Sequence, residues 1–215
     1  MSYLAIRRKE EKERRRSEIL DAAEALYARK GWDALTVDQV ARSARLSRAL
    51  LYVYFRDKED LLFAIGERAL RLLRDRLSQA VSAAPTGIGQ LASIGRAYMG
   101  YAHEFPHYFD FCSRFQSHST GADSSANEAA CRVAGDQAIG TLAQAIEHGI
   151  RDGSMRADAG EPLMLAISLW AFIHGIIQLT MAKAPDLARR GIATAAFSNY
   201  AFQLLRAVAQ SRPAG

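Results

Sequence analysis

A chain of 215 residues fits one large domain or two small ones, and folding at this size buries roughly 70% of the unfolded surface, so no staple is required. With 49% apolar and 24% charged residues, the composition excludes a disordered tail, a collagen-like chain and a disulfide-rich mini-protein. Five prolines against abundant alanine favour helix, and Cys112 and Cys131 are too few for a zinc ribbon or a disulfide framework.

The first residues lack the apolar core of a signal peptide. The most apolar stretch, residues 163–177, is shorter than the ~20 residues of a membrane span, so a cytoplasmic protein is expected. The net charge of +5 is concentrated at the start, where residues 1–16 carry seven basic and three acidic side chains. Two readings fit that run. Glu10/Arg14 and Glu11/Arg15 are i,i+4 pairs in the favourable order, as on a solvated helix. An arm facing phosphates would have the same composition.

No segment alternates with period two over a strand's length, and helical spacing recurs throughout, so an all-α chain is expected. A first helix is predicted over residues 9–30, with Gly31 placed for a left-handed cap. Thr36-Val-Asp-Gln39 is a capping box, which starts a second helix at Val37. Ser47 caps a third, over residues 48–55. Asp57 caps a long fourth helix over residues 58–83. After the break at residues 84–87, helices are predicted over 88–104 and 106–115, then a polar loop over 116–124. Ser125-Ala-Asn-Glu128 is a second capping box and opens a helix ending near Asp152-Gly153. Pro162 suits the first turn of another, and Pro185 precedes a last helix ending near Gln210.

Two short helices joined by a tight turn, residues 36–44 and 47–55, form a helix-turn-helix candidate. Leu51 and Phe55 point to the core. Ala49, Leu50, Tyr52 and Val53 point broadly the other way, with Arg48 at the boundary. A face with arginine, tyrosine and apolar residues but no acid suits phosphates and base edges, and equally an ordinary short helix with its tyrosines packed inside.

Ile19-x-x-Ala22-Ala23-x-x-Leu26-Tyr27-x-x-x-Gly31, Leu35-Thr36, Val40-Ala41-x-x-Ala44-x-Leu46-Ser47 and Leu51-Tyr52-x-Tyr54-Phe55-x-x-Lys58-Glu59-x-Leu61-Leu62 follow one another in order. Over residues 19–62 the chain resembles the tetracycline-repressor (TetR-type) family; Trp170-x-x-x-His174-Gly175 is a weaker echo of it. The resemblance implies an N-terminal three-helix head with the helix-turn-helix, which together with the basic run at its start makes up residues 1–57. It implies a larger helical effector-binding and dimerisation domain, residues 58–215. It also implies a homodimer that represses or activates transcription by binding double-stranded operator DNA, with repression relieved by a small-molecule effector as the favoured case. DNA contacts are implied at Thr36, Ser47, Arg48, Ala49, Leu50, Tyr52, Val53, Tyr54 and Lys58. Three residues depart from the family pattern. Arg45 replaces a turn glycine, at a cost of about 1 kcal/mol if left-handed, although a cation there can reach the DNA backbone. Ala49 replaces glycine or proline. Leu50 replaces a small polar residue, which leaves contact with a thymine methyl.

His103-Glu-Phe-Pro-His107 spells H-E-x-x-H, the pattern of a zinc hydrolase using His103, Glu104 and His107. Pro106 spoils it, because proline interrupts the helix that must carry both histidines. No metal, cofactor or catalytic residue is expected. The competing readings are that hydrolase and a helical hydrophobe-binding module whose basic arm touches membranes. His118 falls in the polar loop, and His148 sits late in a helix, where a cation suits the dipole. Cys112 and Cys131 read as small apolar fillers rather than a redox pair. Residues 88–183 are rich in aromatics, and an apolar cavity with few polar groups suits a small molecule. The candidates are Tyr101, Phe105, Phe111, Phe115, Trp170 and His174, for an apolar or aromatic effector. Residues 163–181 and the last helix, with Phe197, Tyr200 and Leu204, carry the apolar surface expected to pair two chains.

Overall fold

The computed structural model describes residues 3–114 and 124–210. Among them are ten α-helices and no strand beyond an isolated bridge between Met155 and Gln210. The helices are α1 (Tyr3–Lys30), α2 (Val37–Ser43), α3 (Arg48–Tyr54), α4 (Lys58–Val81), α5 (Gly87–Glu104), α6 (Pro106–Arg114), α7 (Ala126–Arg151), α8 (Pro162–Ala182), α9 (Ala184–Arg189) and α10 (Thr194–Ala209). They form two compact units. Among the described residues, one holds 3–69, 106–114 and 124–133, and the other holds 70–105 and 134–210. This partition by packing differs from a boundary at residue 57, because the first unit also takes in the start of α4, all of α6 and the start of α7.

In the first unit, α1 buries Ile19, Leu20, Ala23, Leu26 and Tyr27, which recur at helical spacing. Leu35, Val40, Ala41, Leu51, Phe55 and Leu61 are buried in the same unit. The helix begins at Tyr3 rather than near Lys9. Arg14 pairs with Glu11 at 2.6 Å and with Glu18 at 2.8 Å, so the charged turns carry their own i,i+3 and i,i+4 support. Polar ties fasten the elements around this core. Arg68 donates to Asp21, Glu24 and Ser17. Arg16 donates to Asn127 at 2.6 Å, and Asn127 donates to Asp60 at 2.9 Å. Phe111 of α6 is buried against Gly66, where a Cβ would collide with its ring.

In the second unit, Thr86 caps α5 by accepting from Gly89 N at 3.3 Å, and Asp152 accepts from Gly87 N at 2.8 Å. α8 has 21 residues and is long and apolar enough, by length and composition, to cross a membrane. It buries Ala166, Ile173, His174, Ile176, Ile177 and Thr180 within the unit. Glu161 caps it through Leu163 N and Met164 N. The last helix expected from Pro185 onward is instead two. Gly191 adopts φ +74, a left-handed cap that ends α9 and allows the turn into α10.

Candidate nucleic-acid interface and aromatic cluster

The helix-turn-helix elements are built by their caps. Thr36 Oγ1 accepts from Gln39 N at 3.3 Å and Gln39 Oε1 accepts from Thr36 N at 3.2 Å, a reciprocal capping box. Ser47 Oγ accepts from Leu50 N at 3.1 Å. Between them, Arg45 holds φ +56, the left-handed conformation its place in the turn demands. Leu46 N closes the turn on Ala41 O at 2.8 Å.

α3 divides as its sequence requires. Leu51 is 0% and Phe55 1% exposed, whereas Val53 is 69% and Tyr52 41% exposed. Ala49 and Leu50 share the open face, and Thr36, Arg45, Ser47 and Arg48 are exposed beside them. Tyr54 is half-buried. The Arg48 guanidinium lies 3.5 Å from the Asp38 carboxylate, 3.3 Å from the Tyr52 hydroxyl and 5.6 Å from the Tyr52 ring centroid. Both partners of the ion pair are open to water, where such a pair contributes ~0–1 kcal/mol, so it is readily exchanged. Asp38 is not among the residues that the sequence singles out. Its place in the first turn of α2 is visible there, but its approach to Arg48 depends on how α2 and α3 pack.

Lys58 is placed differently from a free phosphate clamp. Its ammonium donates to Trp32 O at 2.9 Å and lies 4.6 Å from the Trp32 ring centroid. An ammonium has three donors, so this bond holds the turn after α1 and leaves others for a second acceptor.

The six effector candidates do not fall in one unit. Tyr101, Phe105, Trp170 and His174 belong to the second, Phe111 belongs to the first, and Phe115 lies outside the described residues, as does His118. In the second unit a polar chain runs through the aromatics. Trp170 Nε1 donates to the Tyr98 hydroxyl at 3.3 Å, and that hydroxyl is hydrogen-bonded to His174 Nδ1 at 2.7 Å. Tyr98 stacks on Tyr101 with centroids 6.4 Å apart, and Tyr101 meets Phe105 at 5.7 Å. Burial pushes the His174 pKa below its ordinary value. Tyr98 is the member of this cluster missing from the sequence-based candidates. Its i,i+3 relation to Tyr101 is the available signal.

The H-E-x-x-H residues lie on two helices. α5 ends at Glu104 and α6 starts at Pro106. Glu104 pairs with Arg76 at 2.7 Å, and His107 packs edge-on to Tyr27 at 6.0 Å. Among the described residues, no group of three or more histidine, cysteine, aspartate or glutamate side chains is arranged to hold a metal ion. Burial pushes the Cys112 and Cys131 thiols up to about 12, so neither is an activated thiolate.

Residues 19–65 match the family described as bacterial regulatory proteins, tetR family, and residues 91–197 match the tetracyclin repressor-like C-terminal domain. An uncharacterised HTH-type transcriptional regulator of Mycobacterium tuberculosis is 26% identical over 171 residues, 80% of this chain and 72% of that protein. The HTH-type transcriptional regulator HbdR of Aromatoleum is 31% identical over 86 residues, 40% of this chain, and the match spans only 38% of HbdR. Among solved structures, FadR from Bacillus subtilis in complex with stearoyl-CoA superposes with a TM-score of 0.67 at 16% identity, over 89% of this chain and 98% of that one.

Proposed function

The chain belongs to the tetR family of bacterial regulatory proteins, and on that premise we propose that it is a repressor rather than an enzyme, binding operator DNA through α3 and releasing it when a small apolar or aromatic molecule binds the C-terminal domain. The observation that carries this reading is the open face of α3. It presents Arg48, Leu50, Tyr52 and Val53 on a helix capped at Ser47, behind a turn closed at Arg45. Arg48 is the residue for a guanine edge, since a bidentate guanidinium reads O6 and N7. Leu50 and Val53 suit thymine methyls. Thr36, Ser47, Tyr52, Tyr54 and Lys58 supply phosphate contacts.

A homodimer through α8 and α10 is part of the proposal. Met164 is 67% and Tyr200 59% exposed, and Ile167, Phe172, Leu179 and Leu204 are also open, an amount of apolar surface that a second copy would cover. The aromatic cluster around Tyr98, Trp170 and His174 is the proposed effector contact, an apolar surround with few fixed polar groups. The similarity in fold to FadR in complex with stearoyl-CoA supports an apolar-tailed ligand.

The test is a titration of the purified protein against duplexes selected from a random library. Arg48→Ala is expected to cost about 1–3 kcal/mol and to relax base preference at one position. Failure of the wild-type chain to select any sequence defeats the reading. An effector is sought by release of the selected duplex. Coupling of about 1–3 kcal/mol must be reciprocal, so DNA weakens the effector by the same factor. Trp170→Ala is expected to blunt release more than DNA binding.

A further inference from the structure

We propose that the first four turns of α1 form a second DNA-contacting element, a rigid basic arm that holds the sugar-phosphate backbone beside the base pairs met by α3. The inference rests on the reading of α3 as the recognition helix. α1 is continuous from Tyr3 to Lys30, so the charged residues 3–16 are an extension of the helix that carries the buried core. That extension is about 21 Å long at 1.5 Å per residue, roughly six base pairs of duplex at 3.4 Å each. It is fastened next to the recognition helix by Arg16, whose guanidinium lies 5.4 Å from the Phe55 ring centroid and donates to Asn127 at 2.6 Å.

Beyond that anchor, the arm and α3 share a groove of about 920 Å³, lined on one side by Leu4, Arg7, Arg8 and Lys12 and on the other by Val53 and Tyr54. The open face of α3 therefore continues into a cationic wall. Residues 3–14 are all exposed. Two acids, Glu10 and Glu11, also line the groove, but Glu11 is engaged by Arg14 at 2.6 Å and by Arg15 at 3.7 Å. Among the described residues no ion pair holds Arg8, Lys9 or Lys12. A polyanion is the occupant that charge complementarity selects. Continuity with Val53 and Tyr54 selects the same duplex that α3 reads.

The test compares wild type with an Arg7→Ala, Arg8→Ala, Lys12→Ala triple variant on a duplex selected by the wild-type protein. Alanine keeps the helix, and circular dichroism verifies it. Each phosphate that the arm no longer neutralises is expected to reduce the slope of log affinity against log salt by about 0.9. The triple variant should therefore show a slope shallower by about 2–3 per bound chain, keep its base preference, and forfeit hydroxyl-radical protection only at the flanks. Arg7→Lys, Arg8→Lys should keep the slope. An unchanged slope in the triple variant, alongside relaxed base preference in Arg48→Ala, overturns the arm and leaves the recognition helix standing. A wild-type chain that selects no duplex overturns both. Loss of binding to phosphatidylglycerol vesicles with unchanged operator binding overturns the proposal and assigns the arm to a membrane surface.

Discussion

Phe111 fills the space that a side chain on Gly66 would need. Its ring tip lies where a Cβ at residue 66 would be built, and Phe111 itself is 1% exposed. Both belong to the first compact unit, so the closeness is between α4 and α6 within one core. Gly66→Ala is expected to overpack that core and to destabilise the protein by about 1–3 kcal/mol, despite alanine's better helix propensity. Urea denaturation measures it. An increase in stability would mean that α6 yields freely, and that the fit is not a constraint.

Lys58→Ala should act in two ways. The ammonium supports the Trp32 carbonyl at 2.9 Å and lies over its ring, so its removal is expected to cost about 1 kcal/mol of stability. If the same group also reaches a phosphate, DNA affinity falls alike on all sequences and the salt slope drops by about 1. Thermal melting reads the first effect and salt-dependent titration the second. A stability loss with an unchanged salt slope confines Lys58 to the turn.

Much of the head is readable without a structure because its signals are local. Thr36 and Gln39 sit three apart, Ser47 precedes a short apolar run, and Arg45 stands where the family resemblance places a turn glycine. Each is a statement about one turn of chain, and each capping bond and the positive φ is found. The aromatic candidates rest on composition along residues 88–183. Composition does not tell which compact unit a residue joins, so Phe111 and Trp170 prove to belong to different units. Lys58 carries a local signal for the helix start but none for Trp32, 26 residues away. The division into α9 and α10 is hidden in the sequence because Pro185 is a strong start signal, whereas Gly191 stops a helix only through its left-handed φ.

Stability should fall as the pH drops through about 6.5. Burial pushes the pKa of His107 and of His174 below the ordinary histidine value. The unfolded chain therefore takes up protons first, from about pH 6.5 downward, and folding opposes that uptake until the depressed folded values are reached. Glu24, whose carboxyl burial pushes up, works in the opposite sense. The informative readout is therefore a difference. His107→Phe keeps a ring beside Tyr27 and is expected to flatten part of the slope between about pH 5.5 and 7 in urea titrations. A variant as steep as wild type would remove His107 from this account.

Tyr98→Phe takes a hydrogen bond from both Trp170 and His174 while keeping the stacked ring. The expected cost is about 1–3 kcal/mol, since buried polar groups lose a partner. DNA affinity should be unchanged at temperatures where the variant stays folded, and release by an apolar effector should shift. Thermal melts and paired titrations read the two.

Met164→Glu with Leu204→Glu places charge on the open apolar faces of α8 and α10. The expected result is a monomer at micromolar concentration by sedimentation, from a dimer in the wild type, with weakened operator binding. A wild-type monomer, or a double variant that stays dimeric, moves the interface elsewhere.

The left-handed backbone at Arg45 has a thermal consequence. Replacing it with glycine removes a standing cost of about 1 kcal/mol, which for a chain of this length is a gain of roughly 2–4 °C in Tm. The same change removes an exposed cation from the turn between α2 and α3. If Arg45 touches the DNA backbone as proposed, heat resistance and grip on DNA are set against each other at that residue, because glycine there surrenders an exposed charge between α2 and α3. Measuring Tm and salt-dependent affinity together on Arg45→Gly gives the rate of exchange.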